Sequence, residues 1–242
     1  DKYYEYLLDI IKGRRRIASP SNYIFYGPPG TGKTFKLRDA LLHKYDGEKK
    51  RFVFTTFHQA FSYEDFVEGI KPVMGDTKGE VQYEIKPGVF KEICELAKND
   101  SRNQYAIFID EINRGNVANI FGELITLIEP DKRSHGKIPM EAKLPSGDTF
   151  IVPSNLYIIG TMNTADKSIA LLDIALRRRF EFEPMYPKYS EDGLNVNDEA
   201  VLKNINESII SDKGHDFQIG HSYFMDSKED PYDFERRMNV KV

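Results

Sequence analysis

A three-layer α/β/α fold around a central parallel sheet of five strands follows from three observations on this 242-residue chain. Five short apolar runs lack polar alternation, as strands buried on both faces do. Stretches with helical apolar spacing fall between them, the alternation that builds a parallel sheet covered by helices. The first run leads directly into a glycine-rich turn, Gly27-Pro28-Pro29-Gly30-Thr31-Gly32-Lys33-Thr34, and a further helical stretch follows.

The apolar runs occupy residues 23–26, 52–56, 106–109, 156–159 and, more weakly, 180–182. Helical spacing is expected over 35–45, 63–69, 89–97, 117–129 and 168–177. Two segments interrupt this order. Residues 71–87 read as a β-hairpin set within or beside a helix, with Val81, Tyr83 and Ile85 alternating on one arm. Residues 138–152 read as a second hairpin around Pro145-Ser146-Gly147-Asp148. Past Pro184, Pro187 and Gly193 mark a linker, and a small helical lid carrying Val201, Ile205, Ile209 and Ile210 is expected beyond it. This divides the chain into a large α/β part, 1–187, and a lid, 188–242, expected to be incomplete. The first residue is Asp1, not methionine, which suits a piece of a longer protein.

Apolar residues make up 40% of the chain, enough for a core, and no run approaches the ~20 residues of a membrane span. No signal-peptide core opens the sequence. Cys94 is the single cysteine, so no disulfide framework is possible, and its apolar neighbours mark it as a core residue. A cytoplasmic setting is expected. A net charge of −4 argues against a surface that coats nucleic acid. The local basic runs are Arg14-Arg15-Arg16, read mainly as a solvated turn, and Arg177-Arg178-Arg179.

The glycine-rich turn has the spacing of a phosphate-binding P-loop, fixed by Gly27, Gly32, Lys33 and Thr34. Glycines let backbone N–H groups close around phosphate, and the helix behind adds partial positive charge. Residues Pro29, Gly30, Thr31, Gly32, Lys33 and Thr34 are the expected nucleotide-binding stretch. Lys33 would reach the β- and γ-phosphates and Thr34 would ligate Mg²⁺. A buried strand ending in Asp110-Glu111 would deliver Asp110 to the same metal and set Glu111 to orient or deprotonate water. The fourth strand exits through Thr161-Met162-Asn163, where an amide could hold the attacking water. Arg177 and Arg178 end a helix; beyond capping it, they could reach a neighbouring subunit's nucleotide. Arg114 is a further cation close to the acidic pair.

Together these features resemble the AAA+ ATPase superfamily. Within it, Phe61-Ser62-Tyr63-Glu64-Asp65-Phe66, Asp110-Glu111-Ile112-Asn113-Arg114, Met162-Asn163-Thr164-Ala165-Asp166-Lys167-Ser168, Ala175-Leu176-Arg177-Arg178-Arg179-Phe180 and Ile219-Gly220-His221-Ser222-Tyr223-Phe224 look like the McrB family, the motor of McrBC-type restriction systems. Lys167 stands where that family usually has arginine, and the two are not equivalent at a bidentate contact. The resemblance implies a P-loop NTPase fold and a hexameric ring with nucleotide between subunits. It implies hydrolysis of GTP rather than ATP with Mg²⁺, and an McrC-like nuclease partner. DNA recognition would lie in an absent N-terminal domain. Glu111 and Asn163 carry the catalytic roles in this resemblance, Thr34 and Asp110 the metal, and Arg177 or Arg178 the finger. The Gly220–Tyr223 stretch lacks a second-sensor arginine. An ATP-driven chaperone or remodeller and a non-hydrolysing assembly scaffold are the alternative readings.

Overall fold

The computed structural model describes residues 22–35, 38, 51–74, 81–165, 174–190 and 194–225. The basic run at Arg14, the segment before the first strand, Lys167, most of the expected helix 35–45 and the end of the lid lie outside these residues.

The sheet is the parallel five-stranded one expected. Its strands are β1 (Asn22–Gly27), β2 (Phe52–Thr56), β5 (Tyr105–Asp110), β8 (Leu156–Asn163) and β9 (Glu181–Pro184), in the order β2-β5-β8-β1-β9. Aromatic and β-branched residues fill them because both faces are covered. On one face, Ile24, Ile107, Ile109 and Ile158 pack with residues of α2 (Val89–Asn99), α3 (Val117–Phe121) and α4 (Leu124–Leu127). On the other, Tyr23, Phe25, Ala106, Phe108, Tyr157 and Ile159 form a second core. Here the helix that starts at Lys33 lays the Arg38 guanidinium 5.8 Å from the centre of the Phe54 ring. The side-chain period of two thus feeds two cores from β1, β2, β5 and β8. Cys94 is buried in the first core, and that burial pushes its thiol well above the usual range.

Register decides where the chemistry can be. Gly27 pairs with Asn163 across β1 and β8, and Ile109 pairs with Gly160 across β5 and β8. The carboxyl ends of β5, β8 and β1 therefore lie side by side, where ligands bind on such sheets.

Several boundaries differ from the sequence expectation. The helix expected over 63–69 is a single turn, α1 (Tyr63–Phe66), and the chain is extended again from Glu68. Phe66 enters an aromatic cluster with Phe57, Phe90 and Phe121, which fixes the turn and frees the backbone beyond it for pairing. The first hairpin is accordingly longer at its base than expected: β3 (Glu68–Met74) pairs antiparallel with β4 (Val81–Pro87). One of its faces carries Ile70, Pro72, Met74, Val81, Tyr83 and Ile85, all open to solvent. The helix expected over 117–129 breaks into α3 and α4 at Gly122, whose φ of +51° takes the backbone out of the right-handed helix. The second hairpin shrinks to β6 (Ala142–Lys143) against β7 (Thr149–Phe150).

A buried ion pair ties the two hairpins together. Lys91 of α2 donates to Glu68 at 2.7 Å and to Asp148 at 3.0 Å, and Glu68 also accepts from the Ser146 backbone N–H at 2.7 Å. A second buried cation, Arg133, donates to the carbonyls of Ile128 and Leu156 and to the Asn22 side chain, pinning the amino-terminal ends of β1 and β8. Its burial lowers the guanidinium to about 10.

Among the described residues, two further α-helices follow β8. Of the helix expected over 168–177, α5 (Ile174–Arg177) is the described part. After β9 comes α6 (Glu199–Lys213), whose inward face is Leu202 and Asn206; Val201, expected to face the core, is 47% exposed. None of the helices among the described residues is long and apolar enough to cross a membrane.

Candidate active site

The loop after β1 is shaped by its glycines. Gly30 and Gly32 have φ of +76° and +77°, values that strain any residue with a Cβ. Lys33 is buried and turns into the loop, donating to the carbonyls of Gly27 at 2.9 Å and Pro28 at 2.7 Å. Thr31, also buried, closes the curl by donating its hydroxyl to Pro28 at 3.1 Å. Pro29 has no N–H and contributes shape alone. Burial lowers the Lys33 ammonium to about 8, while the charges of Glu111 and Asp110 pull it back up. A lysine whose ammonium is disfavoured by burial and faces two carboxylates is the environment in which an added polyanion would favour the charged form.

Asp110 and Glu111 leave β5 in different directions. The hydroxyl of Thr34 donates to Asp110 at 2.8 Å, and that of Thr161 donates to the same carboxylate oxygen. Thr161 in turn accepts the Glu111 backbone N–H at 3.2 Å. Glu111 has φ of +51°, a left-handed conformation that is unfavourable for glutamate and aims its side chain away from Asp110's partners. There the Asn163 amide donates to one carboxylate oxygen, and the Arg114 guanidinium lies 3.4 Å from the other. Asn113 supports this corner by donating to the Asn163 carbonyl at 3.2 Å.

Thus Lys33, Thr34, Asp110, Glu111 and Asn163, chosen from sequence, come together at three adjacent strand ends. Arg177 and Arg178 do not join them. They precede β9, whose Glu181 pairs with Tyr23 at the start of β1. That puts them at the opposite edge of the sheet, roughly 15 Å from the loop at about 3.3 Å per residue. Both are exposed, whereas Arg179 is spoken for by Glu129 at 2.8 Å.

Comparison with known proteins matches this arrangement to a family. Residues 22–180 match the AAA domain of the dynein-related subfamily, and residues 198–242 match the McrB alpha-helical lid domain. Over 235 residues the chain is 39% identical to the type IV methyl-directed restriction enzyme EcoKMcrB subunit of Escherichia coli (strain K12), covering 89% of this chain and 50% of that protein. The chain belongs to the McrB branch of the AAA domain family. It is also 29% identical over 194 residues to the type II restriction enzyme BsuMI component YdiS of Bacillus subtilis (strain 168), covering 68% of this chain and 57% of that one. The chain therefore spans about half the length of the curated relatives it matches. Among solved structures, PCH-2 of C. elegans overlays loosely, with a TM-score of 0.42 at 18% identity over 87% of this chain and 46% of that one.

The McrB-type lid supplies contacts that sequence reasoning did not assign. Ser222 donates its backbone N–H to the Gly30 carbonyl at 3.0 Å, and Thr164, next to Asn163, donates its hydroxyl to the Asp216 carbonyl at 3.1 Å. Gly220 lies so close to the loop that a Cβ there would be 2.1 Å from the Gly30 carbonyl carbon. The buried Asn206 of α6 holds this strap by accepting from Ile219 N at 2.7 Å and donating to Ile219 O at 3.0 Å. A buried asparagine on a helix was the one available signal. Threonine partners of Asp110 such as Thr161 left none, because a hydroxyl on a strand reads equally as sheet packing.

Proposed function

We propose that this McrB-type domain hydrolyses a nucleoside triphosphate with Mg²⁺, GTP in preference to ATP, as the ring motor of a restriction system. The observation that carries the reading is the gathering of the Thr34–Asp110 pair and the Glu111–Asn163 pair around the loop that holds Lys33. Thr34 and Asp110 are oxygen donors suited to a hard cation that takes the rest of its shell from phosphate and water. Lys33 and the loop N–H groups bind the phosphates. Glu111 orients or deprotonates the attacking water and Asn163 fixes its place. Mg²⁺, when bound, screens the charge that develops on the phosphates.

Arg177 and Arg178, on the far edge of the sheet, serve the nucleotide of an adjacent copy in a ring, hexameric by the family resemblance. The same resemblance supports an McrC-like nuclease subunit as partner, DNA recognised outside this domain, and a division into a large domain, 1–187, and lid, 188–242. Steady-state turnover of GTP and ATP, with and without the partner, tests the reading. GTP hydrolysis stimulated by the partner is expected. Faster turnover of ATP, indifferent to a nuclease subunit, would favour an ATP-driven remodeller instead.

A further inference from the structure

Thr161 of β8 is 2% exposed, and its hydroxyl bonds to both acidic residues at the end of β5. The direction of each bond is fixed. A backbone N–H can only donate, so the Thr161 oxygen accepts from Glu111 at 3.2 Å. The single hydroxyl proton is then left for the Asp110 carboxylate, which as an anion can only accept. One oxygen thus ties the side chain of the first acid to the backbone of the second.

The tie matters because the two acids diverge. Thr34 donates to the same Asp110 oxygen at 2.8 Å, which keeps that carboxylate beside the phosphate loop. Glu111 turns the other way through a left-handed backbone, with φ of 51° and ψ of 47°, unfavourable for a residue with a Cβ. Thr161 and Asn163 stand two positions apart on β8 and so share one face of that strand. Together they hold Glu111 at both ends: Thr161 takes its N–H, and Asn163 donates to its carboxylate. The 3-10 turn Ile112–Arg114 closes behind, with the Arg114 N–H donating to the Glu111 carbonyl at 2.9 Å.

We propose that Thr161 is a positioning residue for hydrolysis, with two duties carried by one hydroxyl. It holds Asp110 for the cation, and it holds the Glu111 backbone in the left-handed turn that aims its carboxylate at the attacking water. The inference rests on the nucleotide-hydrolysis reading above and deepens it by linking the metal-binding acid to the water-activating one. Loss of the hydroxyl strands the Glu111 N–H and lets that residue relax toward an extended backbone. Turnover therefore suffers even where the cation is in excess, which a residue that only shapes the cation site would not cause.

Thr161→Val keeps the side-chain shape and removes the hydroxyl, whereas Thr161→Ser keeps the hydroxyl. The measurements are Mg²⁺-dependent binding of a slowly hydrolysed GTP analogue and single-turnover GTP hydrolysis across a Mg²⁺ series. Thr161→Val should need about tenfold more Mg²⁺ to reach half of its metal-dependent gain in analogue affinity. At saturating Mg²⁺ it should bind the analogue like the parent yet hydrolyse GTP about tenfold more slowly. Thr161→Ser should stay within about threefold of the parent in both measurements. A Thr161→Val rate that recovers fully at saturating Mg²⁺ would overturn the link to Glu111. A Thr161→Ser protein impaired tenfold or more would overturn the role of the hydroxyl, and that variant decides alone if Thr161→Val does not fold. A parent protein with no Mg²⁺-dependent hydrolysis of GTP or ATP would instead overturn the hydrolase reading itself, and the inference with it.

Discussion

The Asn163 side-chain amide donates to the Glu111 carboxylate, joining the ends of two strands that lie 52 positions apart in sequence. The bond orients Glu111 with a neutral donor, which leaves the carboxylate charged and able to accept a proton from water. Glu111→Gln keeps the shape and removes the base, so nucleotide binding should persist while turnover falls by about 100-fold or more. Asn163→Asp sets a second negative charge against Glu111 and should lower turnover comparably. Single-turnover hydrolysis beside equilibrium binding separates the two effects. Turnover of Glu111→Gln within a few-fold of the parent would remove Glu111 from the chemistry.

Lys33 makes binding sensitive to pH. Burial has lowered its ammonium to about 8 in the free protein, against the raising influence of Glu111 and Asp110. Bound polyphosphate favours the charged form and raises that value. Below about pH 8 the lysine is already protonated and affinity should be level; above it, affinity should fall by up to tenfold per unit while binding draws in a proton. Calorimetry in buffers of different ionisation heat should detect proton uptake at about pH 9 and little at about pH 7. Equal uptake at both would assign the pH dependence to another group.

Arg178 should act only between copies. Neither Arg178→Ala nor Glu111→Gln should hydrolyse nucleotide well alone, yet a mixture should regain measurable turnover, because some interfaces pair an intact Glu111 with an intact Arg178. A mixture as inactive as its components would argue against a shared site. Arg179→Ala should instead loosen the fold through the lost Glu129 pair, by about 0.5–1 kcal/mol for a partly exposed bridge.

The Lys91–Glu68 pair should behave as a buried one. The two side chains are 10% and 1% exposed. Lys91→Met strands the Glu68 carboxylate and should cost about 3–5 kcal/mol, more than Glu68→Gln, which leaves Lys91 its bond to Asp148. Burial by itself would raise the Glu68 carboxyl, but the bonds from Lys91 and Ser146 outweigh it and hold it below its usual range. The Glu68 contribution is therefore complete above the ordinary glutamate range and lost as pH falls through the depressed value. Urea unfolding of parent and Glu68→Gln at neutral and acidic pH should show the difference between them shrinking on the acid side.

The parallel sheet could be read from sequence because strands buried on both faces leave uninterrupted apolar runs, and the strand at 52–56 matches β2 residue for residue. The strand-end edge that carries the candidate site was equally legible, since a P-loop fixes the end of one strand and polar residues after apolar runs mark the ends of two others. What escaped were features set by contacts distant in sequence. The Phe66 cluster shortens α1 to a turn. Gly122 divides a helix whose apolar spacing continues across the break. In α6 the buried pair is Leu202 and Asn206, because Asn206 is needed for the strap, and this turns Val201 outward. The docking of Ser222 on Gly30 has no local signature, as it joins two backbones and no side-chain pattern records it.

The hairpin β3–β4 leaves Ile70, Met74, Val81, Tyr83 and Ile85 in water, each at least half exposed. Such a ribbon behaves as a detergent-seeking surface: isolated protein should cling to hydrophobic resins and cloud as it is concentrated. A lysine in place of Tyr83, standing clear of both cores, should keep preparations clear without disturbing the sheet beneath.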